Sequence, residues 1–141
     1  MSRKIEFYIV DIFIASDKIK RYTKSFNSAE SFLHSELEWD AVIRELEIIG
    51  EATNTLLKMN ALGAQYRMIV DFRNQIIHGY FGIDENIVWE VVTDLLDNFL
   101  ASLSSLIKKE SLDISDAIAC AKNDHHYNEK TLQFLEQLST H

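Results

Sequence analysis

The chain has 141 residues, a formal charge of −8 and a single cysteine, which is length enough for one domain to bury a sizeable core without disulfides or a structural metal. The acidic balance excludes a protein that coats nucleic acid nonspecifically, because that mode draws its affinity from neutralising many phosphates. One thiol cannot make an internal bridge, so Cys120 reads as a small buried apolar residue in a reducing, cytoplasmic setting.

The opening residues Met1-Ser2-Arg3-Lys4-Ile5-Glu6 lack the apolar region of a secretory signal, and no apolar run approaches transmembrane length, so no membrane partner is expected. Proline is absent and there are only four glycines, which permits long helices and starves strand-and-turn architectures of turn residues. The expectation is an all-α chain, an antiparallel helical bundle. Ile5, Tyr8, Ile12, Ala15, Ile19, Tyr22 and Phe26 recur at three- and four-residue steps and predict a first long amphipathic helix. Residues 1–26 hold six Lys/Arg against three acids, so the acidic chain keeps a locally basic start.

Ser28 precedes a short helical turn at Ser31-Phe32-Leu33, and Trp39 opens a second long helix in which Val42, Leu46, Ile49, Thr53 and Leu57 face the core. Gly50 inside that helix costs roughly 1 kcal/mol of propensity relative to Ala, so close approach of another helix is the favoured reason for it. Met59-Asn60-Ala61-Leu62-Gly63 reads as a helix end and turn; Tyr66, Ile69, Val70, Phe72, Ile76 and Ile77 mark a third helix that Gly79 and Gly82 terminate. Asp84 is a good N-cap for a fourth helix running to Lys109. Its apolar set, Ile87, Val88, Val91, Val92, Leu95, Leu96, Phe99 and Leu103, is broad enough to suggest a subunit interface. Two short helices follow, either side of the polar break Lys122-Asn123-Asp124-His125-His126.

The third helix carries the segment Arg73-Asn74-Gln75-Ile76-Ile77-His78-Gly79-Tyr80. Asn74 and His78 lie one turn apart, so Asn74 is placed to bond one imidazole nitrogen and leave the other free for proton transfer. Attack of an RNA 2′-hydroxyl on the adjacent phosphorus needs such a base, and Arg73, always charged and able to present two parallel donors, suits the phosphate. Tyr80 can donate a hydrogen bond or stack. Glu51, polar within an apolar run, either orients Arg73 or neutralises it. From spacing alone, the plainer alternative is that Arg73 pairs with Asp71 or Glu51 and His78 caps the helix. Efficient cleavage uses both an acid and a base, which a symmetric dimer with two His78 side chains would supply.

Arg73-Asn74 followed by His78-Gly79-Tyr80 resembles the R-N-x3-H-x-Y signature of HEPN ribonuclease domains, specifically the HepT-like toxins. The likeness extends to Asp40-Ala41-Val42-Ile43-Arg44, to Ile48-Ile49-Gly50-Glu51-Ala52 and to Phe81-Gly82-Ile83-Asp84 with Val88-Trp89. It implies a single HEPN domain over residues 1–141, with a bundle core at about 5–105 and a helical extension at about 111–141. It further implies a homodimer that cuts RNA without a metal or other cofactor, with Arg73 and His78 catalytic and Asn74, Tyr80 and Glu51 supporting. The implied partner is a minimal nucleotidyltransferase antitoxin that transfers AMP to Tyr80. Relatives carry a proline-tryptophan turn before the motif helix, where this chain has Gly63-Ala64-Gln65. The rival expectations are a non-catalytic nucleotide- or substrate-binding partner of a nucleotidyltransferase, and a purely structural helical dimer.

Overall fold

The computed structural model describes residues 3–78 and 83–140, which form helices joined by short turns and contain no strand. In chain order they are α1 (Ile5–Thr23), α2 (Ala29–Leu33), α3 (Glu36–Lys58), a 3-10 turn (Ala64–Tyr66), α4 (Arg67–His78), α5 (Glu85–Glu90), a π-helical turn (Val91–Leu95), α6 (Leu96–Lys109), α7 (Ser115–Asp124) and α8 (Glu129–Ser139). The expected all-α bundle is what these residues build. None of the helices is long and apolar enough to cross a membrane.

Side chains set the boundaries. Ser28 Oγ accepts from the Ser31 backbone N–H at the start of α2, and Asp84 accepts from the Asn86 N–H at the start of α5, so both caps supply acceptors for otherwise orphaned donors. At the end of α3 the left-handed residue is Asn60, with φ 58°. Its N–H reaches the Leu57 carbonyl while the Ala61 N–H reaches back to Leu56, a Schellman closure made without glycine. Ser111, φ 52°, ends α6 in the same way through Lys108 and Ile107. In place of a proline-tryptophan turn, the 3-10 turn leads into α4 and its Tyr66 ring packs 5.4 Å from Phe99 of α6.

The principal core joins Ile9, Ile12, Phe13, Ala15 and Ile19 of α1 to Val42, Leu46, Ile49, Ala52 and Leu56 of α3, and to Val88, Val92, Leu96, Phe99 and Leu103 further on. The α3 stripe ends on buried Leu56; Leu57, expected in the core, is only half-buried. Phe32 is fully buried beside Phe26, Trp39 and Trp89, with ring centroids 5.7, 5.0 and 5.8 Å away, so both tryptophans are packing anchors. The fourth predicted helix is interrupted by one π turn. Its buried residues advance by four, four, three and four, slightly wider than the α-helical repeat, and one broad turn keeps them on a single face.

A second, smaller core lies on the other side of α1, where Val10 and Ile14 meet Ala117, Ile118 and Ala121 of α7 and Leu135 of α8. Arg21 fastens this extension by donating from Nη2 to Thr131 Oγ1 at 3.2 Å. Cys120 is not buried: it falls between the residues that face α1 and is exposed, its Sγ 3.8 Å from Asp124 Oδ2.

Candidate functional site

The site is built where α4 crosses α3. On α4 only Val70 and Ile76 are buried, so a short helix is anchored at two points and leaves its polar residues accessible. Arg73 faces α3. Its Nη2 donates to Glu51 Oε1 at 3.2 Å, its Nη1 donates to Asn74 Oδ1 at 3.0 Å, and its Nε is buried with no acceptor among the described residues. The side chain is 24% exposed against 57% for Glu51, which leaves the guanidinium half-sheltered and the carboxylate in water. A salt bridge of that kind contributes little to folding, commonly under about 1 kcal/mol.

Asn74 and His78 line a pocket of about 520 Å³ with Phe72, Gln75, Ile76, Ile83, Asp84 and Ile87. The exposed His78 imidazole sits at the last residue of α4. Asn74 gives its carboxamide oxygen to Arg73, not to the imidazole, and thereby links the guanidinium to the pocket wall. The structure thus brings Arg73, Asn74 and Glu51 into one hydrogen-bonded group and sets His78 beside Asn74 in the adjoining pocket. Tyr80, together with Gly79 and Gly82, lies outside the described residues.

Two pocket residues had only other readings in the sequence. Asp84 was legible as a cap, which it is, but its place in the pocket wall depends on how α5 returns toward α4. Gln75 stands inside the motif segment without a signal of its own. The signal at Gly50 was sound: a Cβ there would fall 2.2 Å from Arg73 Cβ, so the helix that needs the space is α4. His125 and His126 lie away from this site; His125 Nδ1 is buried without a partner among the described residues, and burial together with Lys18 pushes its imidazole below the usual range. Among the described residues no three His, Cys, Asp or Glu side chains converge as a metal-binding group.

The family model for HepT-like ribonucleases matches residues 12–106, more than half of the chain. A protein of Thermococcus cleftensis named probable ribonuclease HepT is 32% identical over 111 residues, covering 77% of this chain and all of the relative. A Methanocaldococcus jannaschii protein provisionally named an RNase is 33% identical over 95 residues, 65% of this chain and 86% of its own. A second protein from that organism, named as a gamma-glutamylcyclotransferase joined to a provisional RNase, is 30% identical over 131 residues, 89% of this chain and 54% of the relative. That match extends beyond residue 106. No solved structure matches the chain.

Proposed function

The chain belongs to the HepT-like ribonuclease family, and from that premise we propose that it is an endoribonuclease, the toxin of a toxin–antitoxin pair, acting as a homodimer without a metal. The observation that carries this reading is a half-sheltered, always-charged guanidinium bonded to Asn74, which lines the same pocket as an accessible imidazole five residues on from the arginine. In the proposed reaction the RNA 2′-oxygen attacks the adjacent phosphorus while one His78 accepts its proton. The bond from phosphorus to the 5′-oxygen breaks, and the second protomer's imidazole returns a proton to that leaving oxygen. Arg73 stabilises the charge that gathers on the nonbridging oxygens.

Exposed apolar side chains on α4, on α5 and in the π turn that follows it support a partner copy: Met68, Ile87 and Leu95 are 63%, 47% and 38% exposed. Ile87 also lines the pocket that holds His78. On the resemblance of the segment Arg73 to Tyr80 to the family signature, Tyr80 is the proposed acceptor of AMP from a nucleotidyltransferase antitoxin. A nucleotide there would add bulk and negative charge across the path of RNA, which accounts for neutralisation.

Purified protein is expected to cut single-stranded RNA in excess chelator, and His78→Ala and Arg73→Ala are each expected to abolish cutting with the fold retained. Full cleavage by His78→Ala would remove the imidazole from the mechanism. The alternative, a non-catalytic partner of a nucleotidyltransferase, is favoured by the engagement of both Arg73 terminal nitrogens within the chain. Tight nucleotide binding by calorimetry with no RNA cleavage at any protein concentration would select it.

A further inference from the structure

Arg73 leans on α3 at a position where that helix has no side chain. A Cβ built on Gly50 would stand 2.2 Å from Arg73 Cβ and 2.4 Å from its Cγ, separations that packed carbon atoms do not adopt. These atoms are the root of the Arg73 side chain, not its flexible end, so relief would require α4 to draw away from α3. Gly50 does not have a left-handed φ, so conformational freedom does not account for it; the close approach of Arg73 does. Further out, the guanidinium is fixed at two corners by Glu51 and Asn74, while its buried Nε has no acceptor among the described residues. An exposed ion pair adds little stability, whereas holding a charged group in one pose changes what it does to an incoming phosphate.

We propose that Gly50 and Glu51 are positioning residues: Gly50 gives the Arg73 stem its seat on α3, and Glu51 holds the guanidinium as an internal anion that an RNA phosphate displaces. The proposal rests on the nuclease reading above and separates two roles that the sequence left open for Glu51. A carboxylate that merely neutralised Arg73 would weaken RNA binding and do nothing else. One that also orients Arg73 has opposite effects on binding and turnover: it competes with phosphate in the ground state and keeps the donors aligned for the charge that develops later.

The test uses the full chain, a fluorogenic RNA oligonucleotide for kcat and KM, and its 2′-O-methyl analogue, which cannot be cleaved, for Kd by anisotropy. Glu51→Gln is expected to lower both KM and Kd about threefold while lowering kcat about tenfold. Gly50→Ala is expected to weaken Kd about fivefold in the native background and to add nothing in an Arg73→Ala background, since it acts only through Arg73. A general loss of packing would add in both. If Arg73→Ala leaves cleavage unchanged, the nuclease reading and this proposal fall together. If Arg73→Ala abolishes cleavage but Glu51→Gln and Gly50→Ala keep native kcat and Kd, positioning is overturned and the nuclease reading stands. If Gly50→Ala shows no cooperative unfolding, Glu51→Gln decides alone, and unchanged turnover or weaker binding overturns the proposal.

Discussion

Truncating Phe32 to alanine tests how the five-residue α2 holds the wall of the candidate site. The ring is fully buried, with Phe26, Trp39 and Trp89 at 5.0–5.8 Å, and Trp89 belongs to α5, the helix that carries Asp84 and Ile87 into the pocket. Burying a phenylalanine and then removing it costs about 3–5 kcal/mol, because the lost transfer energy is joined by the cavity left behind. Three aromatic contacts keep this site clear of the low end of that range, at about 4 kcal/mol. For a chain of this length that corresponds to a melting temperature lower by about 12 °C. Chemical denaturation followed by circular dichroism measures it, with Leu37→Ala as control: Leu37 is 77% exposed, and its loss should stay within about 0.5 kcal/mol. A Phe32→Ala loss under about 1 kcal/mol would refute the claim that this aromatic cluster fastens α2 and α5.

Glu45 is buried between α1 and α3, and burial raises its carboxyl above the ordinary range against the opposing pull of Lys18, Arg44 and Arg21. With the folded value raised, its contribution is fully present below pH 4.5 and lost as pH rises through the folded value. Glu45→Gln is therefore expected to raise the melting temperature at pH 7 and to flatten its decline above pH 4.5; a lower melting temperature at pH 7 would contradict this. Asn60→Ala keeps a Cβ in the left-handed Schellman position but removes the short polar side chain that makes that conformation tolerable, and should cost about 1 kcal/mol in urea denaturation, whereas Asn60→Gly should be close to neutral. Equal losses for the two would show that the Asn60 side chain, not its φ, holds the turn.

The helical class was legible because its signals are local: no proline, few glycines, apolar residues at helical steps, and caps at Ser28 and Asp84 that behave as their chemistry dictates. What escaped depended on neighbours distant in sequence. Val10 and Ile14 form a second stripe on α1 whose purpose appears only when α7 and α8 dock on it, and that docking leaves Cys120 facing outward. The stretch from Met59 to Gly63 read as a helix end and turn, but that Asn60 is the residue that takes the left-handed conformation did not follow from it. Candidate-site residues stood out by type and spacing, and Glu51 proved to be within reach of Arg73. The partner of Asn74 did not follow from spacing, because its oxygen bonds the adjacent guanidinium rather than the imidazole one turn away.

Specific activity measured across a dilution series, with molecular mass followed in the same samples by sedimentation, bears most directly on the claim that two copies complete each site. RNA cleavage per protomer should fall as the mass drops from dimer to monomer. A constant rate per protomer from protein sedimenting as a monomer would contradict it.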